Sequence, residues 1–248
     1  LAKAPEKLLF SYLGQLVKRV PWDGSEVRGL EWSESEGLVV VGEDGGVRYF
    51  EALDGDSVSF TLGHGTEEHG VLSCRFWSHE FVALLGSNHL VVVNSYAELR
   101  LKLLASPPNE TVYSWTLIPR TDSLSRSMEV LLAINSTIYI FDGTDFDNRG
   151  LGAGPFRHVG ASPNGKFVAL YTDDGKVWVV SSDFQKRLSE YDPKVKMAPK
   201  DMQWCGNDSV AFAWEDEVDL VILGQMEIEQ VLLCPTPAAC YLARMRWL

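Results

Sequence analysis

The sequence predicts an all-β chain, a β-propeller of four-stranded antiparallel blades of the WD40-like kind. Three observations carry this. Related stretches begin at Val27, Val71, Val112, Phe156 and Lys200, at intervals of 44, 41, 44 and 44 residues, and four strands every ~40–45 residues is the signature of a propeller blade. The central apolar runs of these units ("LVVVG", "FVALLG", "VLLAI", "FVALY", "VAFAW") do not alternate with polar residues, so both faces of those strands are covered. The turn text fits as well: "EDGG" and "DDGK" place Asp-Gly where a two-residue hairpin needs positive φ.

Taken in order, the chain starts with "KLLFSYLGQLVKRVPW", which reads as the outer two strands of a blade whose beginning is missing. The five units then share one grammar. A short apolar strand often ends near an aromatic (Trp32, Phe76, Trp115, Trp204), and a polar turn such as "SESEG", "SPNG" or "GND" follows. Next comes the continuous apolar strand, then a tight turn into "GVRYF", "HLVVV", "TIYIF", "KVWVV" or "VDLVIL". A weaker strand closes most units, as in "SVSFTLG", "ELRLKLL" and "KRLSEY". The tail "IEQVLLCPTPAACYLARMRWL" reads as an outer strand followed by the start of another blade. Helix is limited to a turn near "TEEHG". At ~44 residues per blade the chain holds about five and a half blades, so the ring is expected to be incomplete here.

Composition excludes several classes. The 248 residues are 46% hydrophobic and 23% charged, ordinary for a globular protein, and no apolar run reaches the ~18 residues of a membrane-spanning helix. The start at Leu1, broken by Lys3, Glu6 and Lys7, is no signal or transit peptide and reads as the edge of a fragment. With 34 acidic against 22 basic residues the net charge is -12, which disfavours nucleic acid and direct adhesion to anionic lipid. Basic stretches such as "ELRLKLL" and "FQKRL" read as solvated strand edges. Cys74 and Cys205 sit in strand-like text and read as buried small hydrophobes, while Cys234 and Cys240 lack a metal-binding spacing; reduced thiols are expected. The sequons at Asn109, Asn135 and Asn207 read as unmodified.

No stretch carries catalytic chemistry. "HGTEEH", His64 to His69, spaces its histidines by five and is flanked by glycine, which suits a loop and not a zinc-binding helix. "GLGAGP", Gly150 to Pro155, has no following helix to complete a phosphate cradle. The carboxylates Glu43, Asp44, Asp173, Asp174 and Glu215 to Glu217 lie at hairpin turns, where turn chemistry accounts for aspartate; a glycosidase pair is the enzymatic alternative. The expectation is no catalytic residue, no cofactor and no metal. Trp32, Trp115 and Trp204 recur at similar places and are expected to fill blade cores, whereas Trp22 and Trp247 fall outside the pattern and are candidates for exposure at an interface.

Three segments together resemble a known family: "VRGLEWSESEGLVVVGEDGGVRYF", "FVALYTDDGKVWVVSSDFQKRLSEYD" and "APKDMQWCGNDSVAFAWEDEVDLVILG". Their order and spacing, with Ala198 to Cys205 followed by a strand ending at Ala213 to Glu215, are similar to the N-terminal propeller of the vacuolar protein sorting-associated protein 16 family over about Leu8 to Gly224. The resemblance implies a propeller domain over residues 1–248, part of a ring expected to be seven-bladed in the parent, without the α-solenoid that follows it in the family. It implies a non-enzymatic scaffold of a core subunit shared by the HOPS and CORVET tethers, acting in vesicle fusion and transport to endosome and vacuole or lysosome. Partners implied are the other class C subunits, and a Sec1/Munc18-type subunit bound through the absent solenoid. The protein would be cytoplasmic and peripheral on those membranes through the complex. The family's opening strands are absent before "LLFSYLGQLVKRV", and "ARMRWL" departs from its continuing strand. A coat- or nucleoporin-type scaffold propeller is the alternative, and a propeller hydrolase or lectin with a ligand in the central channel the more remote one.

Overall fold

The computed structural model describes residues 6–10, 13–22, 25–53, 55–63, 65–96, 100–123, 126–143, 145–193, 197–214 and 218–222. The chain forms two compact units, Leu1–Pro108 and Asn109–Leu248. The first begins with an antiparallel pair, β1 (Glu6–Phe10) and β2 (Leu16–Pro21), where two outer strands were expected. The first full blade follows as β3 (Val27–Trp32), β4 (Leu38–Gly42), β5 (Gly46–Phe50) and β6 (Ser57–Thr61). A single helical turn, α1 (Thr66–His69), leads to the second blade: β7 (Val71–Trp77), β8 (Glu80–Leu85), β9 (Leu90–Val93) and β10 (Leu101–Leu103).

The second unit holds the third blade, β11 (Val112–Ile118), β12 (Glu129–Ile134), β13 (Thr137–Phe141) and β14 (Phe146–Gly150). The fourth is β15 (Phe156–Ala161), β16 (Phe167–Thr172), β17 (Val177–Ser181) and β18 (Arg187–Tyr191). The fifth comprises, among the described residues, β19 (Asp201–Cys205), β20 (Ser209–Ala213) and β21 (Val218–Ile222). Every ladder is antiparallel between sequential strands, and each of the five blades opens within one residue of the start of its repeat unit.

The second strand of each blade explains the unbroken apolar text. All five residues of β4 are buried, but alternate ones face opposite ways. Val39 and Val41 pack with Phe81, Ala83 and Leu85 of the second blade; Leu38 and Val40 pack with Val20 and Trp22 beside the β1–β2 pair. The same division occurs on β16, where Val168 and Leu170 join a core with Ile118, Leu131 and Ala133 of the third blade, while Ala169 and Tyr171 join Met202, Val210 and Phe212 of the fifth. Each buried Val, Leu or Phe contributes about 1.5–3 kcal/mol relative to exposure, and the blades gain it only through their neighbours.

Turns hold the strands in register. In "TDDGK" the Gly175 N–H donates to the Thr172 carbonyl at 3.0 Å and the Thr172 N–H to that of Lys176 at 2.9 Å; Gly175 takes φ 88°. Gly45 does the same at φ 81°, with its N–H on the Gly42 carbonyl at 3.1 Å. These connections therefore have three residues, not the two expected, and only the glycine needs the left-handed conformation. Buried serines lock the preceding loops: Ser33 Oγ accepts from the Gly37 N–H, and Ser162 Oγ from that of Phe167, both at 3.0 Å.

A β-bulge recurs one residue into the first strand of four blades, at Arg28, Leu72, Tyr113 and Arg157. Beyond it, the ladder extends into the linkers. The Glu43 N–H donates to the Glu26 carbonyl at 2.7 Å, that of Gly86 to Gly70 at 2.9 Å and that of Asp173 to Pro155 at 2.7 Å. Adjacent blades are stitched at the same level, by Val71 N–H to the Glu43 carbonyl (2.7 Å) and Phe156 N–H to that of Asn135 (3.0 Å). A Cβ on Gly86 would stand 2.1 Å from the His69 carbonyl oxygen, whereas one on Gly150 would meet nothing within 4 Å. Gly86→Ala is therefore expected to cost about 1–3 kcal/mol as overpacking against backbone, and Gly150→Ala to stay within about 0.5 kcal/mol of the parent, both read by urea denaturation.

Candidate functional site

The bulges shape one rim of the sheets. A bulged residue twists its strand and re-aims its side chain, and here it brings two arginines onto the turns between second and third strands. Arg28 lies 3.0 Å from Glu43 Oε1, and Arg157 Nε lies 2.6 Å from Asp173 Oδ1. In the second unit the bulge residues of adjacent blades also meet: the Arg157 guanidinium sits 4.5 Å from the centroid of the Tyr113 ring. The hydrogen bond to each carboxylate raises both guanidinium pKa values. Charge on this rim is largely matched in place, as suits blade-to-blade fixation. The bulge was missed in the sequence; an Arg one residue into the strand and an acid fifteen or sixteen residues on was the available signal.

The tryptophans divide differently from expectation. Trp115 is 4% exposed. Trp204 packs on the fourth blade, its indole N–H donating to the Gly160 carbonyl at 2.9 Å and its ring stacked on Phe167. Trp32 is 45% exposed, which corrects its placement in the core. It pairs with Leu38 and, like Leu30 at 46%, lies on the face turned to the β1–β2 pair; those two strands cover Leu38, Val40 and Phe50 but leave the innermost strand open. Trp22 is corrected the other way. It is 4% exposed, packed with Leu38, Val40 and Phe50, its indole N–H bonded to the Ser25 carbonyl at 2.7 Å and Arg48 over its ring. Trp247 lies outside the described residues, as do His64, Cys234, Cys240 and Glu215 to Glu217.

Candidate chemistry is dispersed. Among the described residues no three of His, Cys, Asp and Glu come together to hold a metal ion. Burial pushes the Cys74 thiol up to about 12, which leaves it protonated and poorly nucleophilic; Cys205 is half-buried. His158 is a packing residue, with Nε2 2.8 Å from the Pro199 carbonyl and its ring edge-on to Tyr171. A groove of about 520 Å³ lies on the opposite rim from the bulges, between Asp142 and Asp145 on one side and the turn at 181–186 on the other, and five of its ten lining residues are acidic. No described helix is long and apolar enough to cross a membrane.

Sequential four-stranded antiparallel blades with both faces covered define a β-propeller domain. The same architecture is seen in the β-propeller domain of Cps50 (Swd1) from Myceliophteria thermophila, with a TM-score of 0.66 at 13% identity over 94% of this chain and 80% of that one. Hsv2 from Kluyveromyces lactis matches with a TM-score of 0.65 at 17% identity over 92% and 78%. Within that class the chain belongs to the family described as Vps16, N-terminal region, which it matches over residues 3–234. It is 33% identical over 222 residues to a Schizosaccharomyces pombe protein named as a probable vacuolar protein sorting-associated protein 16 homolog, covering 86% of this chain and 26% of that protein. Against the Dictyostelium discoideum homolog it is 27% identical over 88% of this chain and 27% of the relative, and against VACUOLELESS1 of Arabidopsis thaliana 25% identical over 86% and 28%. The chain thus spans about a quarter of the length of these relatives.

Two outcomes follow from this geometry. Trp115→Ala is expected to destabilise by about 3–5 kcal/mol, as for a buried aromatic, and Trp32→Ala by less than half of that, both read from denaturant midpoints. Burial lowers the His158 pKa, opposed by its bond to the Pro199 carbonyl, so the unfolded chain binds this proton more readily than the folded one. The stability it sustains is present above the ordinary histidine pKa and declines as pH falls through that value toward the lowered one. The stability gap between the parent and His158→Asn should accordingly be narrower at pH 5.5 than at pH 7.5; an equal gap at both would show that His158 titrates alike in the two states.

Proposed function

We propose that this chain is a non-catalytic propeller module, a single domain over residues 1–248, of a vacuolar-sorting complex subunit, and that it acts by presenting rigid rims and blade edges to other subunits. The observation that carries this reading is the family match over residues 3–234, with relatives named for vacuolar protein sorting. Support comes from the site: the bulge-rim arginines are held in ion pairs with the adjoining turns. The complex proposed is a class C tether, HOPS or CORVET, that acts before membrane fusion at the endosome and vacuole or lysosome. Other class C subunits are the proposed direct partners. A Sec1/Munc18-type subunit would be engaged by the solenoid region that follows the propeller in the family. The protein would reach its membrane through the complex from the cytoplasm.

The test is affinity purification of the full-length parent with and without residues 1–248, partners identified by mass spectrometry, together with calorimetry of the purified chain against the Sec1/Munc18-type subunit. The expected result is that deletion leaves the Sec1/Munc18-type subunit bound and depletes other tether subunits, and that the chain alone shows no submicromolar binding to it. Tight binding in the second measurement would assign recognition of that subunit to the propeller and overturn the division of labour proposed.

A further inference from the structure

The acidic groove between the third and fourth blades is built unlike the bulge rim. Five carboxylates line it; that of Asp147 is paired with Arg149, and those of Glu129, Asp142, Asp145 and Asp183 are in no salt bridge with a described residue. Glu129 accepts from the Ser123 hydroxyl at 2.8 Å. Asp183 accepts from the Ser181 hydroxyl and the Gln185 N–H. The cation in the wall, Arg149, is occupied by Asp147 at 2.5 Å.

Two further observations point to an occupant. Ser182 lines the groove and is 6% exposed, yet its hydroxyl has no hydrogen-bond partner among the described residues. The Nε of Arg149, another lining residue, is buried and unpartnered. The groove also runs along β14, the outer edge of its sheet, which leaves main-chain N–H and C=O groups available for an added strand. Phe146, 45% exposed at the start of β14, supplies an apolar wall.

We infer that this groove binds an extended Lys/Arg-bearing segment of a partner polypeptide, with its cations at the carboxylates of Asp142, Asp145, Asp183 and Glu129 and its main chain beside β14. The carboxylates are too dispersed to hold one metal ion, and separated positive charges on a strand, recurring every second residue at about 6.6 Å, are the complementary arrangement. Charge complementarity of this kind sets partner choice and encounter rate. The inference gives the scaffold reading one defined contact and rests on it for the existence of a partner; it is tested on the purified chain, so that its outcome is separate from assembly of the complex.

The experiment is fluorescence anisotropy of the whole chain with a labelled ten-residue peptide of alternating Lys and Thr, against the same peptide with Asn in place of Lys. Saturable binding of the Lys peptide alone is expected, weakening as salt rises. Asp142→Asn with Asp145→Asn should weaken it at least about tenfold, and so should Phe146→Lys, which sets a cation in the groove; Glu67→Gln with Glu68→Gln, an exposed acidic pair on α1, should leave it unchanged. Equal weakening by both neutralised pairs would reduce the binding to the net charge of -12 and overturn the site. Absence of saturable binding, or stoichiometric displacement by millimolar magnesium, would overturn it as well.

Discussion

Two-sided burial of the second strand in each blade is the constraint on which the rest depends. A sheet with β4 at its centre has apolar residues on both faces and cannot exist alone in water. Every strand alternates sides, so a continuous apolar run needs a cover on each side. The neighbouring blade is that cover, and its own second strand has the same need. Stability in such an array is a sum of repeats and of interfaces between nearest neighbours. The backbone bonds from Val71 to Glu43 and from Phe156 to Asn135 fix the spacing of those interfaces at one rim, one residue before the bulge.

That constraint also sorts what was legible in the text. The positions of the strands were legible because burial on both faces leaves unbroken apolar runs, and because the intervals between them are nearly constant. Trp32 was misread for the same reason that the runs were read well. Trp32 and Trp204 occupy matching places, each near the end of an innermost strand and each facing the preceding sheet; Trp204 meets β15 there through Gly160 and β16 through Phe167. Trp32 faces a pair of outer strands instead. Nothing in "LEWSES" encodes which neighbour is opposite. Trp22 reversed the error: it follows a strand with exposed Leu16 and Val17, yet its burial is settled by Leu38, Val40 and Phe50 from another sheet. Local text records how many faces a strand must cover, and tertiary neighbours decide which aromatic is covered.

The bulge was illegible on different grounds. An extra residue in a ladder changes neither composition nor period, and the residues that fill it, Arg28, Leu72, Tyr113 and Arg157, share no chemistry. What they share is the backbone position. Arginine there is used twice to answer an acid in the adjoining turn, and the turn acids that read as generic hairpin residues have that second use. The acidic groove was hidden likewise, since its carboxylates come from three separate segments that only the fold brings together.

The two rims consequently differ in what they leave available. On the bulge rim Glu43 and Asp173 are matched by arginines, and the linkers carry ladder bonds, so these groups hold the blades in place. On the other rim the connections are turns within a blade, such as that at residues 181–186; one is stitched to the next blade, the Asn164 N–H donating to Asn207 Oδ1 at 3.0 Å, but the carboxylates of Asp142 and Asp145 make no such bond to a described residue. Carboxylates placed there are solvated when empty, which costs the fold little, because an exposed ion pair would have contributed only about 0–1 kcal/mol. Leaving Asp142 and Asp145 unpaired therefore has almost no price in stability while it preserves a surface of one sign. A scaffold that binds by its rims has reason to keep fixation and recognition at opposite ends of the same strands, because a partner docked on the second rim then does not compete with the contacts that hold the blades together.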